Sequence, residues 1–335
     1  YNFLWEPLIC ISESIGIKRK TPRQNWLSLK DINNLLYLSG FESYRTSRRL
    51  LIPFQIPLIS YLFNKIIAPL PLINHLSLNQ FVFARKLPLE AEAPKSCSTS
   101  VVIPARNESG NIEDAVLRLP QFCDDLEIIF VEGNSSDDTW AEIQRVEKKY
   151  REKRKIKIMQ QDGKGKGNAV RKGFSEADGD ILMILDADLT VAPEDIPKFY
   201  QAIASSKGDF INGSRLVYPM EKHAMRFLNM LGNKFFGSLF SWLLEQHIKD
   251  TLCGTKVIFR KDYDRLVENR KYFGDFDPFG DFDLLFGAYK LNLKIIDLPI
   301  RYRERKYGST NISRFKHGLL LLRMCTYAAR KMKFR

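Results

Sequence analysis

The chain reads as an α/β protein with a mostly parallel sheet and helices on both faces. Three observations predict this. Between residues 99 and 213, short apolar runs alternate with longer amphipathic stretches, the pattern of a parallel sheet threaded through helices. The runs are five to seven residues long, the length of strands rather than helices. The runs also end in polar residues, most plainly where Asp180-Ile-Leu-Met-Ile-Leu185 meets Asp186-Ala187-Asp188.

Taken in order, strands are predicted at Thr99–Ile103, Leu126–Glu132, Lys155–Gln160, Asp180–Leu185 and Asp209–Gly213. Helices are predicted at Asn111–Leu119, Asp137–Arg154, Asn168–Ala177 and Pro193–Ser206. Residues 88–98 are small and polar, which marks a linker between a first domain, 1–87, and a sheet domain, 99–311. A basic amphipathic helix is expected over 312–335. Leu50 to Ile73 is long enough to span a bilayer and carries only the charge of Lys65. Pro53, Pro57, Pro69 and Pro71 interrupt it, so a buried strand-turn-helix is expected instead.

Composition bounds the function. Of the net charge of +13, residues 301–335 hold +10, with eleven Lys/Arg against Glu304. A basic tail suits anionic lipid, a phosphate substrate or nucleic acid. No nucleic-acid-binding motif is present, so a nucleic-acid partner is not expected. The run Arg145 to Lys157 interleaves acids at helical spacing and reads as a solvated face. Five scattered cysteines without a CxxC pair point to a reducing compartment, hence the cytoplasm, and to no structural zinc.

The chemistry concentrates where strands end. Asp186 and Asp188 are one residue apart, so they share a face and can aim at one point beyond the sheet's carboxyl edge. Open α/β sheets bind ligands at that edge. Two hard oxygen donors there suit Mg²⁺ or Mn²⁺ on a phosphate substrate, although a solvated turn capping the next helix needs the same residues. The idea is contradicted if both acids face away from any cleft or lie pinned in ion pairs in the interior. Pro104-Ala105-Arg106-Asn107-Glu108 follows the first strand, and Ser109 could simply cap the helix after it. Glu132 ends the second strand, placed to accept hydrogen bonds from a base or ribose, and Asp137 is a candidate N-cap. Asp162-Gly-Lys164-Gly-Lys166-Gly167 could cradle a diphosphate or serve as a polar turn, since Walker spacing is absent.

Six segments in order resemble the family 2 glycosyltransferases of GT-A fold, closest in form to dolichyl- or polyprenyl-phosphate sugar synthases. They are 101–108, 165–169, Asp-Ala-Asp-Leu-Thr (186–190), Asn-Gly-Ser-Arg (212–215), Asp-Thr-Leu-Cys-Gly-Thr-Lys (250–256) and Arg-Lys-Tyr-Gly-Ser-Thr-Asn (305–311). The resemblance covers about residues 99–312. It implies a nucleotide-sugar donor and inversion at the anomeric carbon. Pro104, Ala105, Arg106 and Glu108 would form the donor loop, with Glu132 on the base and Lys164 and Lys166 near the diphosphate. Asp188 would be the main metal ligand, beside Ala187 and Asp186, the latter holding ribose or assisting the metal. Arg215, Arg303 and Arg305 would meet acceptor phosphate. There are departures: Glu132-Gly133 replaces an Asp-Asp, Thr190 replaces a metal-binding Gln, and Asn311 replaces a Lys.

Asp281 and Asp283 open a predicted helix, where acids are favoured by the helix dipole, or one serves as general base toward a hydroxyl acceptor. A lipid phosphate, with a second pKa of about 6, is already anionic and needs no base. The phosphate acceptor is therefore preferred, with the hydroxyl acceptor of a glycan or glycolipid as the alternative. The C-terminal stretch fits an interfacial helix on an anionic membrane, or a packed helix with a basic outer face. The apolar stripe from His223 to Gln246 could cradle a lipid or pack the core. Residues 3–86 resemble the C-terminal end of a class I S-adenosylmethionine-dependent methyltransferase, without its glycine-rich loop. That implies a piece of a longer two-enzyme protein, unable to methylate alone.

Overall fold

The computed structural model describes residues 1–22, 25–87, 96–215, 227–270, 280–305, 307 and 314–334. Most of the expected linker, Met225 and the closing motif at 306 and 308–311 lie outside the described residues. The chain divides into two compact units, Tyr1–Leu87 with Cys325–Arg335, and Pro88–Met324.

In the first unit, helices α1 (Glu6–Ser14) and α2 (Leu29–Leu38) precede an antiparallel pair, β1 (Phe41–Arg49) and β2 (Asn79–Lys86). Ser28 and Asp31 form a reciprocal cap on α2. Between the strands, a short helix α3 (Ile59–Tyr61) continues into a wider helical turn, Leu62–Ile67. The expected buried strand-turn-helix over Leu50–Ile73 is therefore corrected. No strand forms there, and residues 53–59 are exposed throughout. Four prolines lack the N–H that a ladder needs, and the segment leaves the β1–β2 pair as a loop.

The second unit carries a seven-stranded sheet of order β5-β4-β3-β6-β8-β7-β9 among the described residues. Its strands are β3 (Thr99–Ala105), β4 (Leu126–Glu132), β5 (Lys155–Gln160), β6 (Ile181–Ile184), β7 (Phe210–Ser214), β8 (Lys256–Phe259) and β9 (Ile295–Pro299). β3 to β6 pair in parallel, as do β7 and β9, while β8 runs antiparallel to both β6 and β7. One face packs Val101, Ile103, Ile128 and Met183 with α4 (Ile112–Arg118), α5 (Thr139–Tyr150) and α7 (Ile196–Ala204) in a single core. α6 (Lys166–Glu176) covers the other face, close enough that a Cβ on Gly173 would meet Val131 Cγ2 at 3.1 Å and also strike Val102.

α9 (Arg260–Glu268) follows β8, and α10 (Asp281–Lys290) precedes β9. α8 (Phe227–Leu244) buries Phe236, Phe240 and Leu243, and Phe240 lies 5.2 Å from Phe282 and 5.3 Å from Phe286, ring to ring. The C-terminal half of α8 is core packing; of the apolar stripe itself Phe236 is buried, Leu231 and Phe235 are exposed, and the side chains of Phe227 and Leu228 lie outside the described set. α11 (Arg314–Met332) buries Leu321, Met324, Cys325, Ala328 and Met332 while Arg323 and Arg330 face water. One side of the helix is packed, and its outer side exposes Leu319 and Leu322 beside Arg323 and Arg330.

Candidate functional site

Three strands deliver their loops to one edge. The parallel register sets Ala105 opposite Glu132 and Val102 opposite Ile184, so the loops after β3, β4 and β6 leave side by side. Each loop passes through a residue with positive φ: Asn107 at 56°, Asn134 at 58° and Leu189 at 51°. Asparagine tolerates that region, but a leucine there costs about 1–2 kcal/mol, and such strain gathers at functional sites. The loops are sewn together. Gly133 N–H donates to Ala105 O at 2.8 Å, Ser136 N–H to Asn107 Oδ1 at 2.8 Å, and Asn107 N–H to Ser135 Oγ at 3.0 Å.

At this edge, acids and cations alternate. Asp188 Oδ1 accepts from Thr190 Oγ1 at 2.8 Å and Thr190 N–H at 3.1 Å, which fixes the carboxylate plane. Its Oδ2 accepts from Arg305 Nη2 at 2.6 Å. Arg305 Nη1 reaches Glu108 Oε1 at 2.9 Å, and Asn111 donates to Glu108 Oε2 at 2.7 Å. One guanidinium therefore bridges two carboxylates from different loops. Beside it, Lys166 Nζ pairs with Asp186 Oδ1 at 2.7 Å. Both Asp residues are ion-paired, yet at the sheet edge rather than in the interior: their side chains are 27% and 14% exposed, for Asp186 and Asp188 respectively. Their partners are the cations expected to hold phosphate.

Burial pushes the Glu108 carboxyl up to about 7; Arg305 and Asn111 oppose the shift, and Asp188 and Asp137 add to it. For Asp186, burial acts in the same direction but Lys166, Lys256 and Arg215 outweigh it, leaving the carboxyl below its ordinary range. Three contributors escaped the sequence reading. Gly254 has no room for a side chain, since an added Cβ would lie 2.6 Å from Asp186 Cγ and overlap its Oδ2 and Lys166 Nζ. Tyr307 hydroxyl sits 2.9 Å from Ser109 Oγ and its ring covers Gly110, docking the C-terminal segment on the β3 loop. Thr190 orients Asp188. The quoted 250–256 segment contained Gly254, but nothing in a sequence says which side chains a glycine must admit.

Other expected residues have different occupations. Glu132 is buried, its Oε1 accepting from Ser135 N–H at 2.5 Å and Oε2 from Gln160 at 3.2 Å, so it shapes its own loop instead of facing a base. Burial acts to raise its pKa, but those hydrogen bonds prevail and lower it. Arg215, expected at the acceptor phosphate, is forked onto buried Asp250, with Nε–Oδ2 at 2.7 Å and Nη2–Oδ1 at 2.8 Å. Asp283, a candidate base, is buried and held by Arg270 Nε at 2.8 Å, in surroundings formed by α9 and α10. Asp281 opens α10, and its side chain is outside the described set.

Arg106, Lys164 and Arg303 are exposed, Pro104 is half-buried, and Ala105 and Ala187 are buried in the loop bases. Arg303 N–H bonds Thr190 O at 2.9 Å, bringing the segment that carries Arg305 alongside the β6 loop. Asp137 accepts from Thr139 N–H at 3.1 Å, but the N-cap of α5 is Asp138, so the expected cap is corrected by one position.

The donor set fits a hard divalent cation. Among the described residues no group of three His, Cys, Asp or Glu could hold a metal. One or two carboxylates with substrate phosphate and water completing the shell are the usual requirement of Mg²⁺, and Asp188 and Asp186 meet it.

The chain is similar to known proteins. Over 231 residues the chain is 35% identical to an undecaprenyl-phosphate 4-deoxy-4-formamido-L-arabinose transferase of Edwardsiella ictaluri, covering 67% of the chain and 64% of the relative. It is 40% identical over 121 residues to a dolichol-phosphate mannosyltransferase of Pyrococcus furiosus, covering 35% and 33%. The chain thus spans from a third to just under two thirds of these relatives' lengths. A glucosyl-3-phosphoglycerate synthase from Mycobacterium tuberculosis, solved with Mn²⁺, UDP and glucosyl-3-phosphoglycerate, superposes with a TM-score of 0.50 at 16% identity, covering 71% of this chain and 81% of that one. At that identity the likeness is one of GT-A fold. The family model for glycosyl transferase family 2 matches residues 100–267, half of the chain and all three loops of the acid cluster, so the chain belongs to that family.

Proposed function

We propose that this chain transfers a sugar, with inversion, from a UDP- or GDP-sugar to a polyprenyl- or dolichyl-phosphate acceptor. The observation that carries the reading is the Glu108–Arg305–Asp188 bridge next to the Asp186–Lys166 pair at the carboxyl edge. It supports the reading because anions and cations able to exchange partners with a diphosphate and its ion lie together at this edge. Asp188, with Asp186, would hold Mg²⁺ or Mn²⁺. Bound there with the donor diphosphate, the ion supplies Lewis-acid neutralisation of the leaving nucleoside diphosphate. Arg305 and Lys166 then exchange carboxylate for phosphate oxygen, an exchange that Arg makes readily because both groups accept its fork. Lys164 and Arg106, both exposed at this edge, approach the donor from the loop tips.

The preference for a phosphate acceptor rests on one of the two candidate bases, since the side chain of Asp281 lies outside the described residues. Asp283 is buried against Arg270, so it is poorly placed to take a proton. A phosphate monoester needs cations instead, and Arg303 and Arg305 lie on the segment beside Thr190. The relatives' names support a lipid-phosphate acceptor. No helix among the described residues is long and apolar enough to cross a membrane. We place the reaction at the cytoplasmic face of a membrane carrying the acceptor. We also read residues 3–86 as the end of a methyltransferase-like fold that does not methylate alone.

The test is nucleoside diphosphate release from a panel of UDP- and GDP-sugars with Mn²⁺ or Mg²⁺, with and without polyprenyl phosphate. Turnover should require metal and lipid phosphate, and Asp188→Ala should abolish it while the thermal melt is preserved. Turnover only with sugar-alcohol acceptors would replace this reading with the hydroxyl alternative.

A further inference from the structure

The loop between β1 and β2 is built inside out. Two of its polar side chains bond the loop's own backbone, while Gln55, Lys65 and His75 are exposed: Asn64 Oδ1 accepts from Leu51 and Ile52 N–H, each at 2.8 Å, and its Nδ2 donates to Ile52 O at 2.8 Å. Ser60 Oγ accepts from Ile56 N–H at 2.8 Å and donates to Phe54 O. Phe54, Ile56, Tyr61 and Leu62 face outward. In water this arrangement is the reverse of amphipathic burial, and exposed apolar clusters of this kind mark interaction surfaces.

Two turns repeat one device. At Pro57-Leu58-Ile59 and Pro71-Leu72-Ile73, the third residue's N–H bonds the proline carbonyl, at 2.7 and 2.9 Å. The central leucines sit at φ 61°, ψ −44° and φ 69°, ψ −50°, the rare strained form of the γ-turn. Both side chains project into solvent, 85% exposed at Leu58 and 83% at Leu72. Strain that only presents a leucine to water has no folding rationale.

The charge around the loop selects the occupant. From Ser43 to Leu89 there is no Asp or Glu, and the cations beside the loop are Lys65, exposed within it, and Arg48 and Arg49, half-buried at its base; Lys86 pairs with Phe41 at the far end of the hairpin. An apolar surface with an all-cationic border complements an anionic bilayer, where apolar groups enter the acyl boundary and lysines remain at the headgroups. The helical part, Ile59–Ile67, is far too short to span.

We propose that this loop docks the chain on an anionic lipid surface, with Leu58 and Leu72 as inserting side chains. The proposal does not depend on the transfer reaction. The full chain is sedimented with phosphatidylcholine vesicles with and without phosphatidylglycerol. Wild type should pellet with the anionic vesicles and be released by salt. Leu58→Ser with Leu72→Ser should weaken partitioning at least ~10-fold, since each leucine withdraws apolar area from water on insertion. Leu38→Ser, on exposed α2, should not. Leu58→Trp gives a second readout that needs no loss of fold: its emission should shift to the blue and be quenched by brominated lipid. Wild type remaining in the supernatant overturns the proposal. So does unchanged pelleting of the double variant, or a change in its oligomeric state on gel filtration, which would assign the surface to protein contact.

Discussion

Replacing Asp250 by alanine tests how the sheet is held beneath the acid cluster. Asp250 is fully buried and accepts four donors: Arg215 Nε at 2.7 Å, Nη2 at 2.8 Å, the Arg215 N–H at 3.1 Å and Leu252 N–H at 3.0 Å. Burial acts to raise its pKa, but Arg215 outweighs burial and holds the carboxyl below its ordinary 3.8. Removing it strands a guanidinium whose side chain is only 12% exposed. Breaking a buried pair from one side costs about 3–5 kcal/mol, and Asp250→Ala should fall in that range. Asp250→Leu with Arg215→Met should recover most of it, because the unpaired charge has gone too. The assay is urea unfolding followed by far-UV circular dichroism, with constant m confirming an unchanged unfolded state. In wild type, this contribution is present above pH 4 or so and lost as the pH falls through the lowered folded value. A loss under about 1 kcal/mol in Asp250→Ala would refute the reasoning, since it would mean the guanidinium reaches solvent and is available to phosphate.

Glu108→Gln should flatten a pH dependence. With its folded pKa raised to about 7, wild type binds a proton that the unfolded chain has released, so stability should decline between about pH 4.5 and 7 and level off above, measured as the urea midpoint against pH. Gly254→Ala should lower kcat/KM at least ~10-fold with little change in melting temperature, because the new methyl displaces Asp186 or Lys166 rather than core. Gly173→Ala should do the opposite, costing about 1–3 kcal/mol in thermal stability by overpacking α6 on Val102 and Val131, with kcat/KM of the folded fraction retained.

The parallel half of the fold was legible because β3, β4 and β6 are unbroken apolar runs that stop at polar loops. β8 was not. It has four residues, starts at a buried lysine, Lys256, and runs antiparallel inside a parallel pattern. The acids at 186 and 188 stood out by their spacing, but a capping turn shares that spacing, and only the accompanying segments of the resemblance favoured a site, as they did for Arg305. What each touches was not legible, since Arg305 reaches Asp188 and Glu108 across 117 and 197 residues. Asp283 shows the same limit at short range. A carboxylate at a helix start looks available until Arg270 folds against it. The prolines of 53–71 argued against one long helix, and the segment holds only the short helical run Ile59–Ile67, but the inward turn of Ser60 and Asn64 that exposes the apolar side chains is a matter of backbone hydrogen bonding, invisible in a hydropathy pattern.

The bridge through Arg305 has a consequence for how the chain comes into being. At ribosomal rates, the 197 residues from Glu108 to Arg305 take roughly 10–40 s to emerge. For that interval the sheet can assemble while its upper rim bears carboxylates with no counter-charge from Arg305. Any product released upstream of Arg305, by premature termination or proteolysis, permanently lacks the guanidinium bridge, and its Glu108, without the cation that opposes burial, shifts further toward the neutral acid. Completion of synthesis thereby becomes a condition for a settled rim, and incomplete chains should be singled out by proteases through the loops around Glu108 and Asp188.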